Sequence, residues 1–418
     1  MEKLDQNIEG RQELTDVAEW ENIKNRRNLF EVNDYRGNHP DSAFKSEIDM
    51  LYYELRDEEL NNMRTCPAEY NKYDVERLID AGIFSLSELI DYELLPDRIV
   101  VTDRMPDIAM SQVEDSNLNA PENCTDIYFF GRPGSGKTGL LMGLLGINGG
   151  TYTLNTKTQG GKYALALQEY VRAGITPGGT LGRFVTVING KVNETDKKGN
   201  IISHSINLIE MSGGEFALRI ADAKGVTLAD MGTGITNLLR NQNRKVFFII
   251  VDPTYSKIRV SYRQEIKDGE GNVVGYEIIN KWVSQLDILN KFVSLFESPE
   301  NQEIMKTVTA IHFVVTKADM LGETIREQQV RAKELLLDIY EGPVQHLKDY
   351  CRRTKRINHS TNYSPCVYTF SLGKFYLGDV FDYNEMHSVN FIEAISSMLP
   401  TPYKYWSWWG KLKYFFNK

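Results

Sequence analysis

Eight consecutive residues set the tightest limit on this chain's fold: Gly131-Arg132-Pro133-Gly134-Ser135-Gly136-Lys137-Thr138. They satisfy the pattern GxxxxGK[ST]. Ahead of them, Ile127-Tyr128-Phe129-Phe130 is a short apolar run that reads as a strand; behind them, Gly139-Leu140-Leu141-Met142-Gly143-Leu144-Leu145 reads as a helix. A glycine-rich turn between strand and helix points backbone N–H groups inward, and the helix N-terminus adds partial positive charge. The loop, Gly131 through Gly139, is therefore expected to cradle phosphates. Lys137 is expected to reach the β- and γ-phosphates and the Thr138 hydroxyl to ligate Mg²⁺.

The rest of the chain is consistent with an α/β protein. Its 418 residues exceed one ordinary core, so more than one structural unit is expected. A hydrophobic share of 41% against 25% charged residues is a globular balance. The net charge of -9 disfavours nucleic acid as a partner. The start, MEKLDQNIEG, lacks the apolar core of a secretory signal, and no run approaches the roughly 20 apolar residues of a membrane span, so a cytoplasmic location is expected. Cys66, Cys124, Cys351 and Cys366 show no zinc or redox spacing.

Residues 1–122 read as a mainly helical region, with short helices around Val75, Leu78 and Ile79 and around Leu86, Leu89 and Ile90. Residues 123–400 alternate strand and helix patterns. Phe184 to Ile188 and Ile201 to Met211, joined by the polar Asn193–Asn200 segment, predict an antiparallel hairpin. Val246 to Val251 and Ile311 to Val315 read as strands buried on both faces. A second hairpin is inserted near 258–280, ahead of a helix near Val283 to Phe296. One long charged helix is expected between about Glu323 and Arg353, then a strand at Cys366 to Phe370 and a helix at Phe391 to Leu399. This order predicts a mostly parallel sheet with one antiparallel hairpin.

Thr316-Lys317-Ala318-Asp319 closes the strand Ile311 to Val315 and matches [NT]KxD. Guanine presents N1–H and N2–H₂ side by side, and one carboxylate accepts both; adenine has an acceptor at N1. The Lys317 stem is expected to lie across the base. With these two motifs in this order, the chain resembles the translation-factor-related class of P-loop GTPases over roughly Thr125 to Pro400. Thr at the first motif position is similar to dynamin-like and immunity-related GTPases.

The resemblance implies a Ras-like domain binding GTP or GDP with Mg²⁺. It implies that Phe370-Ser371-Leu372-Gly373 is the SAK-type loop, with Ser371 and Leu372 at the base. It implies a switch threonine, Thr180 or else Thr176, that closes over the γ-phosphate and completes the Mg²⁺ shell. In Leu208-Ile209-Glu210-Met211-Ser212-Gly213, Glu210 stands at the aspartate of the family's DxxG motif and Gly213 at its glycine. Gly214 replaces the water-orienting Gln of Ras-like enzymes, and Glu215 is the remaining candidate for that role. The implied activity is a regulatory switch with slow hydrolysis, answering to a protein effector or to self-association. Arg132 is a candidate charge stabiliser in cis, with solvent exposure as the plainer expectation.

Two other functions stay open on the residues alone. Val246 to Val251 followed by Asp252 fits the Walker B strand of an AAA-like ATPase, although Pro253 occupies the usual place of the catalytic Glu. A nucleotide-stabilised scaffold with negligible turnover is the other. The tail at 401–418 interleaves Trp406, Trp408, Trp409 and other aromatic residues with lysines. That pattern suits peripheral contact with a membrane surface, a protein partner, or packing on the chain's own fold.

Overall fold

The computed structural model of the chain describes residues 17–70, 72–95, 111–112, 117–147, 152–176, 184–195, 201–211, 213, 232–254, 257–267, 273–377 and 380–400. The chain divides into two compact units. The smaller comprises Met1–Asp103 with Ala173–Ile175 and Phe375–Asp382; the larger comprises Arg104–Arg172, Thr176–Lys374 and Tyr383–Lys418.

In the smaller unit a helical run over 17–26 precedes α1 (Leu29–Asn38), α2 (Lys45–Thr65), α3 (Lys72–Asp80) and α4 (Leu86–Asp91). α1 starts where the Asn28 side chain accepts from the Phe30 and Glu31 N–H groups. α4 starts in a capping box between Ser85 and Glu88. α2 is longer than any helix expected here, 21 residues, because Ile48, Leu51, Tyr52 and Leu55 recur at helical spacing and bury one stripe. That stripe shares a core with Trp20, Val32, Phe84 and Leu377.

Along the rest of the chain come β1 (Ser111–Gln112), β2 (Thr125–Phe130), α5 (Lys137–Gly146), β3 (Tyr152–Leu154), α6 (Gln159–Ala173), β4 (Phe184–Thr195) and β5 (Ile201–Met211). They are followed by α7 (Thr233–Arg240), β6 (Arg244–Val251), β7 (Lys257–Lys267), β8 (Val273–Ser284), α8 (Gln285–Leu295), α9 (Gln302–Met305) and β9 (Val308–Val315). Last are α10 (Ile325–Asp338), α11 (Glu341–Thr354), β10 (Val367–Thr369), β11 (Gly373–Leu377), β12 (Val380–Tyr383) and α12 (Met386–Met398).

The main sheet runs β1-β4-β5-β2-β6-β9-β10, with β3 also on β4. β5, β2, β6, β9 and β10 are mutually parallel. β4 is antiparallel to β5 and carries β1 near Val185 and β3 near Gly190. The expected hairpin is therefore β4–β5. Among the described residues β7 and β8 pair only with each other, as a separate antiparallel ribbon.

The apolar runs explain the central strands. β2 is buried at every position, flanked by β5 and β6. On one face Tyr128, Phe130, Phe247 and Ile249 join Ile288, Leu289 and Phe292 of α8 in one core cluster. On the other, Phe129 stacks on Phe248 at 5.8 Å between ring centres, and Phe248 meets Phe391 of α12 at 4.9 Å.

The single long helix expected from Glu323 to Arg353 is in fact two, α10 and α11, broken at Ile339–Tyr340. Pro343 is the cause: it has no N–H to donate and is tolerated only in a first turn, so the chain starts a new helix around it. Because the five parallel strands share one direction, their carboxyl ends emerge together. Gly131, Gly213, Asp252, Thr316 and Ser371 follow those ends, the usual location of ligand sites in open α/β sheets.

Candidate functional site

The loop after β2 turns through two left-handed glycines, Gly134 (φ 68°) and Gly136 (φ 81°), a backbone region that other residues enter only with strain. α5 then begins at Lys137. The Lys137 side chain is buried, and its Nζ donates to the carbonyls of Gly131 (3.0 Å) and Arg132 (2.9 Å). An ammonium has three N–H donors, so one remains for an anion. Burial lowers the Lys137 pKa to about 8; the Glu210 carboxylate opposes that shift and the Arg132 charge adds to it. The Ser135 hydroxyl oxygen is buried in the same loop with no hydrogen-bond partner among the described residues. A buried unpartnered hydroxyl in a loop of inward-turned glycines fits a phosphate oxygen.

Glu210 is the penultimate residue of β5 and is fully buried. Its Oε1 accepts from the Thr138 hydroxyl, and its Oε2 accepts from the Tyr163 hydroxyl at 2.8 Å. Gly213 lies hard against the loop: a Cβ there would sit 2.5 Å from Lys137 Nζ and 2.6 Å from Pro133 N. No cluster of three or more metal-ligating side chains occurs among the described residues. One hydroxyl beside one carboxylate suits Mg²⁺, which keeps several waters and takes further oxygens from phosphates. The residues present fit that ion.

The base-motif residues converge on the same end of the sheet. Thr316 Oγ1 donates to the Ser135 carbonyl at 2.6 Å. Ala318 N donates to the Phe370 carbonyl at 3.1 Å, binding the loops after β9 and β10 together. Ser371 Oγ donates to Asp319 Oδ1 at 2.6 Å, so the two separate motifs meet through side chains. Burial raises the Asp319 pKa; the Ser371 hydrogen bond is the main force holding it down, with the charges of His387 and Lys317 helping. Leu372 is buried and packs over Gly139.

Arg132 corrects an expectation. It is 3% exposed rather than solvent-facing, and its Nη2 donates to Asp252 Oδ2 at 2.8 Å. Lys317 Nζ donates to the same oxygen at 2.9 Å. Asp252 Oδ1 accepts from the Thr254 N–H (2.8 Å) and hydroxyl (2.6 Å). The Lys317 ammonium is thus anchored by Asp252. Glu210, not Asp252, holds the Thr138 hydroxyl.

Thr176 is half-buried. Thr180, Gly214, Glu215 and the 401–418 tail lie outside the described residues. Sequence reasoning missed Tyr163 and the α6 helix that carries it, although Tyr163, Ala164, Leu167 and Val171 show the spacing of a buried helical stripe.

No protein-family model and no curated protein matches the chain. Among the described residues no helix is long and apolar enough to cross a membrane.

Proposed function

We propose that this site binds GTP and GDP with Mg²⁺ and that the protein is a regulatory switch with slow GTP hydrolysis. The observation that carries the reading is the Ser371–Asp319 pair, fastened beside the glycine loop by Thr316. A half-buried carboxylate is the group that matches the adjacent donors of guanine, and it lies on the same sheet end as Lys137. The strand order β4-β5-β2-β6-β9-β10, antiparallel only at β4–β5, supports a Ras-like domain.

In this reading the Gly131–Gly139 loop and Lys137 hold the phosphates, while Thr138 and Glu210 hold Mg²⁺. That ion, when bound, supplies charge neutralisation at the phosphate oxygens. Asp319, Ser371 and Leu372 select the base. Gly214 in place of a water-orienting glutamine supports turnover below the ~1 s⁻¹ scale of well-catalysed phosphoryl transfer. A protein effector or a second copy of the chain would supply the missing group. The AAA-like alternative needs the Asp252 carboxylate beside Thr138, and that carboxylate is committed to Arg132, Lys317 and Thr254.

The test is binding of GTP, GDP, ATP and ADP with Mg²⁺, followed by turnover across a range of protein concentrations. Preference for guanine with slow, concentration-dependent turnover is expected. Preference for ATP would overturn the reading, and guanine binding without turnover would favour the scaffold.

A further inference from the structure

We infer that Tyr163 is a positioning residue for Glu210, fixing one carboxylate oxygen so that the other serves the Thr138 hydroxyl and the divalent cation. The inference rests on the nucleotide reading above and adds a residue that no motif contains.

Two observations carry it. First, Glu210 is fully buried and its oxygens are divided: Oε1 takes the Thr138 hydroxyl and Oε2 the Tyr163 hydroxyl at 2.8 Å. Glutamate has one more rotatable bond than aspartate, and an untethered carboxylate at this position would sample several rotamers. The phenol removes that freedom. Second, Tyr163 is itself immobilised. It is buried on α6, whose start is pressed into the sheet and the loop before it. A Cβ on Gly160 would lie 1.9 Å from the Val187 carbonyl oxygen of β4, and one on Gly161 would lie 2.1 Å from that of Asn155. Only glycines allow this approach, so α6 has a fixed seat.

Partners that orient a ligating carboxylate without touching the metal typically change metal affinity 10–100-fold when removed. The experiment uses the full chain and its Tyr163→Phe variant. Fluorescent GTP binding is titrated with Mg²⁺, and fluorescent GDP binding is measured in EDTA. The Mg²⁺ concentration for half-maximal GTP tightening is expected to rise about tenfold or more, with GDP affinity in EDTA unchanged. A merely structural role would move both together.

Glu210→Asp, whose shorter arm leaves the phenol, guards against a variant that folds poorly. It should show a similar Mg²⁺ shift, and adding Tyr163→Phe to it should shift the curve no further. Independent, additive shifts would overturn the inference. So would a Tyr163→Phe curve that superimposes on the wild type while the wild type binds normally. A wild type that binds no guanine nucleotide in either condition overturns the nucleotide reading, and this inference with it.

Discussion

Thr316 and Ser135 are joined by a hydrogen bond of 2.6 Å from the threonine hydroxyl to the serine carbonyl, 181 residues apart in sequence. The same hydroxyl lies 3.2 Å from the Val251 carbonyl. Opposite it stands Gly136, where a Cβ would come within 3.1 Å of the Thr316 Cβ. A short hydroxyl side chain fills this corner and leaves little room for a larger one. The bond ties the start of the Thr316–Asp319 segment to the Gly131–Gly139 loop, so a displacement of one is felt by the other.

Lys137→Ala should leave the domain folded and weaken triphosphate binding. A hydrogen bond to a charged group is worth roughly 1.5–3 kcal/mol, so affinity should fall roughly 10- to 150-fold. Titration with fluorescent GTP, paired with circular dichroism, reads both. Unchanged affinity would remove the glycine loop from the site.

Asp319→Asn should weaken GTP by about 100-fold or more and improve XTP, because xanthine offers an oxygen where guanine offers its amino group. Asparagine still accepts the Ser371 hydroxyl through its amide oxygen, so the loop should hold its shape. Competition between the two nucleotides measures the exchange. A variant that retains GTP preference would sink the base assignment.

Binding should depend on pH through Lys137. Its lowered pKa of about 8 means that the side chain is charged below that value and loses its proton as pH rises through it. The charged form pairs with phosphate, so affinity should be flat below about pH 8 and fall above it, by at most about tenfold per pH unit. On the acid side, burial raises the Asp319 pKa, and the ionised form accepts the guanine donors. Guanine affinity should therefore fail, as pH drops, sooner than an ordinary carboxylate would cause. Calorimetry in buffers of different ionisation heat should detect proton uptake on binding on the alkaline side.

Asp252→Ala should act on stability. It leaves the Arg132 guanidinium, 3% exposed, without its carboxylate. Breaking a buried pair by removing one partner costs roughly 3–5 kcal/mol. Thermal unfolding should show a fall of roughly ten degrees, at about 2–4 °C per kcal/mol for a domain of this size. If Asp252 instead served hydrolysis directly, the melting temperature would stand and turnover alone would disappear.

What the sequence revealed follows from how each feature is encoded. The glycine loop and the TKAD segment are contiguous, so their backbone geometry and chemistry are written locally, and the structure brings both to one sheet end. The β4–β5 hairpin was legible because a polar segment separates two strand-like runs. The Arg132–Asp252 pair was not: its partners are 120 residues apart, and an arginine in a turn gives no local sign of burial. Tyr163 and Glu210 are 47 residues apart and meet because α6 packs against β4. The break at Ile339–Tyr340 was written locally, in Gly342-Pro343, but the strong charge pattern around it masked the signal.

The margins of the main sheet bear on how copies of this chain can meet. β10 offers only three residues at one margin, and at the other β4 has its outer side partly covered by β1 and β3. Long open strand edges are what recruit strands from other molecules, and short or covered ones resist it. The β7–β8 ribbon is different: 11 and 12 residues long, it has no third strand among the described residues. Strand-to-strand joining, where it occurs, is therefore left to an appendage, and the layer that carries the Gly131–Gly139 loop stays out of it.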